Sequence, residues 1–259
     1  MVGFGGWAKV SSVQQDPLDM RLLALFFLVC LFGFLACKPK QNGVEHLVEA
    51  NWPETSALLD EFHSLFNKYF EMADDQLLAS AIVFPELLRY SKLRDIIETE
   101  ALKTLYVQYG TQYANFSIGP FQMKPSFAED LERASLQNRF YYFLPSDTLA
   151  SNKARLNRIK RLANSEGQMH YLFVFVQLMN LKFEAHQFES LRERVGLYAT
   201  AYQAGYNLSI DELKQKQYGQ FYHTDLLPHK KTKYYSYSAI SLSYYTHQKG
   251  VNKRITNNY

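Results

Sequence analysis

Along most of this chain apolar residues recur three and four positions apart, the spacing that lines one face of an α-helix. Leu58, Leu59, Phe62, Leu65, Phe66 and Phe70 follow it from Pro53 onward. So do Leu77, Leu78, Ala81, Ile82 and Val83, with Asp74 or Asp75 placed to cap their helix. Leu93, Ile96, Ile97, Ala101, Leu102, Leu105 and Tyr106 mark a longer helix that Ser91 can cap and that ends near Gly110. Residues 113–125 break the period, with Gly119-Pro120 as punctuation, and read as a loop. Further helices are predicted around residues 127–136, 147–163, 191–204 and 210–218. Tyr171-Leu172-Phe173-Val174-Phe175-Val176 is apolar all round, which suggests a buried central helix running to about Phe183, although its β-branched and aromatic content also permits a strand. The basic face of Lys153, Arg155, Arg158, Lys160 and Arg161 is expected to be solvated, and the Tyr-rich residues 234–245 to pack as a terminal helix. With no strand-turn-strand signature, internal repeat or low-complexity tract, the pattern predicts an all-α single domain.

Near the N-terminus the pattern changes kind. Met20-Arg21 precedes an uncharged apolar run over residues 22–36, which ends at Cys37. The run is shorter than the ~20 residues a helix needs to cross a bilayer core, and one positive residue, an apolar centre and a small residue at the cut fit a cleaved signal peptide. Phe34-Leu35-Ala36-Cys37 is similar to a bacterial lipobox, whose cysteine becomes the lipid-carrying first residue of the mature chain. That likeness implies lipidation at Cys37 and a lipoprotein anchored to a membrane on the periplasmic side of a bacterial cell envelope. The expected organisation is an over-extended start over 1–19, a signal peptide over 20–36, an anchor and tether over 37–52, the folded domain over 53–250 and a tail over 251–259. Cys30 would be discarded and Cys37 acylated, which leaves the mature domain without a thiol and so without a disulfide.

Composition narrows the partners. At 259 residues and 47% apolar, the chain can bury a sizeable core in one domain or at most two. A net charge of +3 is too small to hold nucleic acid by electrostatics, so no nucleic-acid partner is expected, whereas a mildly basic surface suits an anionic polymer such as a cell wall. The 19 tyrosines offer flat apolar faces with a hydroxyl, a combination that sugar clefts and ordinary helix contacts both use. The seven histidines show no metal-ligand spacing, and neither a metal nor a cofactor is expected.

One carboxylate stands out for its setting. Pro85 lies inside an apolar helical run, where it deletes a backbone hydrogen bond and costs about 3 kcal/mol. Glu86 therefore sits beside a kink or a helix start, and at helical spacing it follows Ala79, Ile82 and Val83, which places its carboxyl over apolar neighbours. Desolvation raises the pKa of an acid, as a general acid at neutral pH requires. The plainer reading is a helix-end acid paired with Arg89 or Arg94.

Two further segments give the glutamate its context. Gly119-Pro120-Phe121-Gln122-Met123-Lys124-Pro125 begins 33 positions after Glu86, and Ala201-Tyr202-Gln203-Ala204-Gly205 follows later. A glutamate ending an apolar helix, a Gly-x-x-Gln-x-x-Pro turn and an Ala-Tyr-x-Ala-Gly segment, in that order, resemble the lytic transglycosylases of the lysozyme-like superfamily. The resemblance implies a lysozyme-like helical domain that cleaves the β-1,4 bond between N-acetylmuramic acid and N-acetylglucosamine in peptidoglycan. It implies that Glu86 acts first as acid and then as base, drawing the proton from the muramyl C6 hydroxyl to close a 1,6-anhydro ring. Gly119, Phe121 and Gln122 would line the substrate cleft, with Gln122 offering a donor and acceptors to the sugar. Tyr202 would orient the glutamate, and Gln203 stands where the family has asparagine, with Asn207 just beyond. Leu87 replaces the usual serine, Pro120 replaces leucine, and Gln122 lies 36 positions after Glu86, a longer gap than the family's, so Glu100 remains a second candidate acid. A lysozyme-type hydrolase would want a second carboxylate, for which Asp95, Glu98 and Glu100 are all available. The contrasting possibility is a glycan-binding or scaffolding lipoprotein of the same fold without turnover.

Overall fold

In the computed structural model the described residues are 42–256, apart from 91, 141, 144 and 226–227. The signal peptide, the Cys37 lipidation site and the Ser91 cap lie outside them. The chain is predominantly helical: α1 (Asn42–Asp60), α2 (His63–Tyr69), α3 (Ala73–Leu88), α4 (Lys92–Ala101), α5 (Pro125–Gln137), α6 (Asn152–Leu162), α7 (Ser165–Lys182), α8 (Leu191–Ala204), α9 (Ile210–Lys216) and α10 (Tyr237–Thr256). α4 continues through a wider π-turn at Leu102–Tyr106 into Val107–Tyr109, and a 3₁₀ turn covers Pro145–Thr148. Before α10, strands β1 (Gln220–Tyr222) and β2 (Tyr235–Ser236) pair antiparallel, an element absent from the sequence prediction.

Local signals explain many of the boundaries. Ser151, Asn164 and Ser190 each accept a backbone N–H at the start of α6, α7 and α8, and Ser209 with Glu212 forms a reciprocal capping box on α9. Gly205 closes α8, donating to the Ala201 carbonyl at 2.9 Å. Asp74 and Asp75 fall in the first turn of α3 rather than at its cap, which is Met72. There they suit the positive end of the helix dipole and meet Lys249 and Arg194 at 3.1 and 3.4 Å.

Two expectations are corrected. The helical body begins at Asn42 rather than at Pro53: Val48 is buried in the core and Trp52 packs 5.7 Å from both Phe84 and Tyr244, so part of the expected tether is folded. The run from Leu58 to Phe70 divides at Glu61–Phe62 into α1 and α2, both of which bury the same apolar set.

Two helices carry the core. Every residue of α3 from Leu78 to Leu87 is buried, and α3 packs against α1, α8 and α10. α7 is the buried helix expected around Tyr171–Val176, and it packs against α2, α5 and α6. A segment enclosed on all sides forces Glu86, near the end of α3, out of water with its neighbours.

Candidate active site

Pro85 lies within α3, and the carbonyls around it are satisfied from outside the helix. Proline cannot donate to the carbonyl four positions back, and its ring crowds that turn, which leaves carbonyl oxygens there for outside donors. The Tyr237 hydroxyl, at the start of α10, donates to the Ile82 carbonyl at 2.9 Å. The Tyr222 hydroxyl, on β1, donates to the carbonyl of Pro85 itself, one of the four carbonyls that a helix end leaves without an internal partner. Both tyrosines are buried, with ring centroids 5.5 Å apart, and they enclose the turn that presents Glu86.

Glu86 is 5% exposed, and its Oε2 accepts from Arg89 Nε at 2.6 Å. The ion pair of the plainer sequence reading is therefore present, but in a buried setting. Burial pushes the Glu86 carboxyl above its ordinary 4.5, against the opposing pull of Arg89, Tyr237 and Lys124. Burial also works against the Arg89 charge, yet Glu86 and the nearby Tyr222 and Tyr237 outweigh it and hold the guanidinium protonated. Arg89 keeps a quarter of its side chain exposed and lies 5.2 Å from the Tyr222 ring centroid, a cation–π contact that fixes it beside the acid.

The Gly119 turn is fastened from three helices. Ile118 and Met123 exchange backbone hydrogen bonds at 3.1 Å each, and Gln122 N–H closes the turn on the Gly119 carbonyl at 2.9 Å. Gln168 of α7 accepts from Phe121 N–H at 2.8 Å and donates to the Ile118 and Leu162 carbonyls at 2.5 and 2.7 Å. Asp95 of α4 accepts from Gly119 N–H at 2.5 Å, and Tyr202 of α8 donates to the Phe121 carbonyl at 2.8 Å. Gln122 adopts φ +49°, a left-handed conformation that costs a non-glycine residue about 1–2 kcal/mol, so the bonds around it hold strain at this point.

A cleft of about 350 Å³ gathers Glu86, Gln122, Tyr202 and Gln203, four residues predicted separately from three distant segments. Asn207 lines it as well. Sequence reasoning missed Lys124, Asp130, Phe221 and His223 on its walls, and assigned Arg89 only as an ion-pair partner. Nothing local distinguished these residues, because their place depends on the hairpin and on the loop into α5.

The expected roles need four corrections. Phe121 does not line the cleft: its ring is fully buried, 5.1 Å from Phe62 and 6.3 Å from Phe66, and only its backbone serves the site. The close approach that glycine permits at 119 is to Gln168 and not to a ligand, since a Cβ there would lie 1.8 Å from Gln168 Nε2. Tyr202 spends its single proton on the Phe121 carbonyl and Tyr237 spends its own on the Ile82 carbonyl, so Tyr202 does not orient the glutamate by donation, and it is the Tyr237 hydroxyl whose proximity favours the Glu86 carboxylate. One N–H of the Gln122 amide is engaged with the Gly119 carbonyl at 2.9 Å, which leaves its side-chain oxygen and its second N–H to offer.

The other carboxylates separate cleanly. Glu100 is exposed and pairs with Lys103 at 2.7 Å, Glu98 pairs with Arg94 at 2.8 Å, and Asp95 is committed to the turn. None of the three lines the cleft, whereas Asp130 does, with its side chain partly exposed and 3.0 Å from Arg133. Among the described residues no helix is long and apolar enough to cross a membrane. Comparison of this chain with protein-family models, with curated proteins and with solved structures finds no match.

Proposed function

We propose that this protein is a peptidoglycan lytic transglycosylase with a lysozyme-like helical domain, exported as a lipoprotein and anchored on the periplasmic side of a bacterial envelope. The observation that carries the reading is the meeting of Glu86 with Gln122, Tyr202 and Gln203 in one cleft, with Glu86 buried and its carboxyl biased toward the protonated form. An acid that retains its proton near neutral pH can give it to the glycosidic oxygen as the bond to C1 of N-acetylmuramic acid breaks. The carboxylate left behind then takes the proton from the C6 hydroxyl of the same sugar, whose oxygen closes on C1. Glu86 Oε2 faces Arg89, so the other carboxyl oxygen carries the proton; after transfer the guanidinium stabilises the carboxylate. No second carboxylate is needed for that route.

The test is product analysis on purified sacculi. The wild-type chain is expected to release muropeptides with 1,6-anhydro ends, and Glu86→Gln to lose release by about 10²–10⁴-fold, the usual worth of a positioned acid–base group. Hydrolysed ends in place of anhydro ends would mark a lysozyme-type reaction and turn attention to Asp130, the second carboxylate on the cleft. The Arg89 pair favours one further reading, a glycan-binding protein without turnover. Sacculus binding that is equal in wild type and Glu86→Gln, with no release from either, would establish it.

A further inference from the structure

Phe221 stands on the cleft wall with 71% of its surface exposed, whereas most of the described phenylalanines are buried. The strand register accounts for its direction. Gln220 pairs with Ser236 while Tyr222 pairs with Tyr235, so two steps along β1 match one along β2 and Phe221 is the extra residue of a β-bulge. The alternation of sides is lost there: Gln220 and Phe221 both face solvent, and Tyr222 turns inward to the Pro85 carbonyl. A bulge re-aims a side chain in this way and recurs beside functional sites.

The ring also has a seat on the chain beside it. A Cβ on Gly219 would lie 2.4 Å from Phe221 Cε2, so the ring rests on the bare face of that glycine. Tyr222 anchors the strand behind it, and Ser236 on β2 donates to the Gln217 carbonyl at 2.7 Å. Among the described residues no aromatic ring stacks on Phe221, which leaves an apolar face open beside Glu86. An exposed apolar ring costs hydration free energy, and one already seated loses less entropy when a ligand covers it. One face of a pyranose presents only C–H groups, and a flat ring is its natural complement.

We propose that Phe221 is a stacking platform for a pyranose of the bound glycan, a substrate-positioning residue supplied by the bulge. This rests on the glycan reading above, and the experiment separates the two. The full chain and its variants are assayed on purified sacculi and, for binding alone, with N-acetylchitohexaose as probe. Phe221→Ala is expected to raise KM and the probe Kd about tenfold, toward the upper end of what one aromatic contact is worth, with kcat within about twofold. Phe221→Trp should restore both constants. Gly219→Ala, which keeps the phenyl group but pushes it aside, should raise KM as Phe221→Ala does, while Tyr218→Ala, an exposed aromatic that does not line the cleft, should leave KM unchanged. If the wild type cuts glycan and Phe221→Ala keeps its KM, the platform is refuted and the enzymatic reading stands. If the wild type neither cuts sacculi nor binds the probe, both fall together.

Discussion

The Glu86 pKa is raised because burial disfavours the carboxylate more than Arg89, Tyr237 and Lys124 together favour it. Its native pKa thus lies above the 4.5 of the unfolded chain, and between those values the native state holds a proton that the unfolded state has released. Stability contributed at this site is greatest below about pH 4.5, falls as pH rises through the native pKa, and is constant beyond it. Glutamine cannot ionise. Glu86→Gln should therefore gain stability relative to the wild type as pH rises above about 4.5 and through the native pKa, read as a rising difference in urea midpoints. A difference that stays flat over that range means that Glu86 titrates as an ordinary carboxylate. Tyr237→Phe removes a hydroxyl that favours the charged form, so the alkaline limb of the activity profile should move to higher pH. The same change strips the Ile82 carbonyl of its outside donor and should cost about 1–3 kcal/mol of stability. The glutamate itself was legible in the sequence, since Pro85 and the apolar residues before it are local. The hydroxyls that brace its turn were not, because Tyr222 and Tyr237 carry no local signal that sets them apart from the other tyrosines.

Among the elements, the Gly119 turn shows how a short motif can be read correctly in kind and wrongly in detail. Its glycine is required twice over, by φ +72° and by the Gln168 side chain and Leu162 carbonyl against its face. Gly119→Ala should destabilise the protein by about 2–4 kcal/mol in chemical denaturation, combining left-handed strain with overpacking. Displacing Gln168 would open three hydrogen bonds at once, so the substitution should also reduce activity even though no atom of Gly119 lines the cleft. Helices were visible in the sequence through their spacing and caps, and α8 and α7 fall close to where they were expected. The hairpin was invisible: β1 and β2 are three and two residues long, and no tight-turn pair joins them. Phe121 was expected in the cleft, but a hydrophobic side chain in a turn goes wherever the core has room for it.

Across the molecule, the largest departure from expectation is on the basic face of α6, where Lys153 and Lys160 are exposed as expected but the three arginines are drawn into contacts. Arg158 is 1% exposed, with Nε and Nη2 donating to Glu132 at 2.9 and 2.5 Å, and Arg161 and the Tyr171 hydroxyl donate to the other oxygen of Glu132 at 2.7 and 2.5 Å. Arg155 reaches the carbonyls of Val107 and Gln108, where the chain leaves its helix. The spacing of basic residues is the same on a solvated face and on this one, and only partners more than twenty positions away decide between them. Glu132→Leu leaves buried guanidinium charge without its carboxylate and should cost about 3–5 kcal/mol. Replacing Glu132 and Arg158 together by Leu and Met should cost less than that single change, because the fully buried guanidinium is removed with its carboxylate and Arg161 keeps Asp147. The tyrosines on either side of Glu86 carry a consequence in time. Tyr222 follows Pro85 in the chain by 137 positions, and Tyr237 follows Ile82 by 155. A ribosome adding about 5–20 residues per second needs about 7–30 seconds to pass from one to the other. Throughout that interval the nascent helix carries its proline bend and its acid without either hydroxyl to brace them, so the carboxyl acquires its final surroundings only when the hairpin and α10 have emerged.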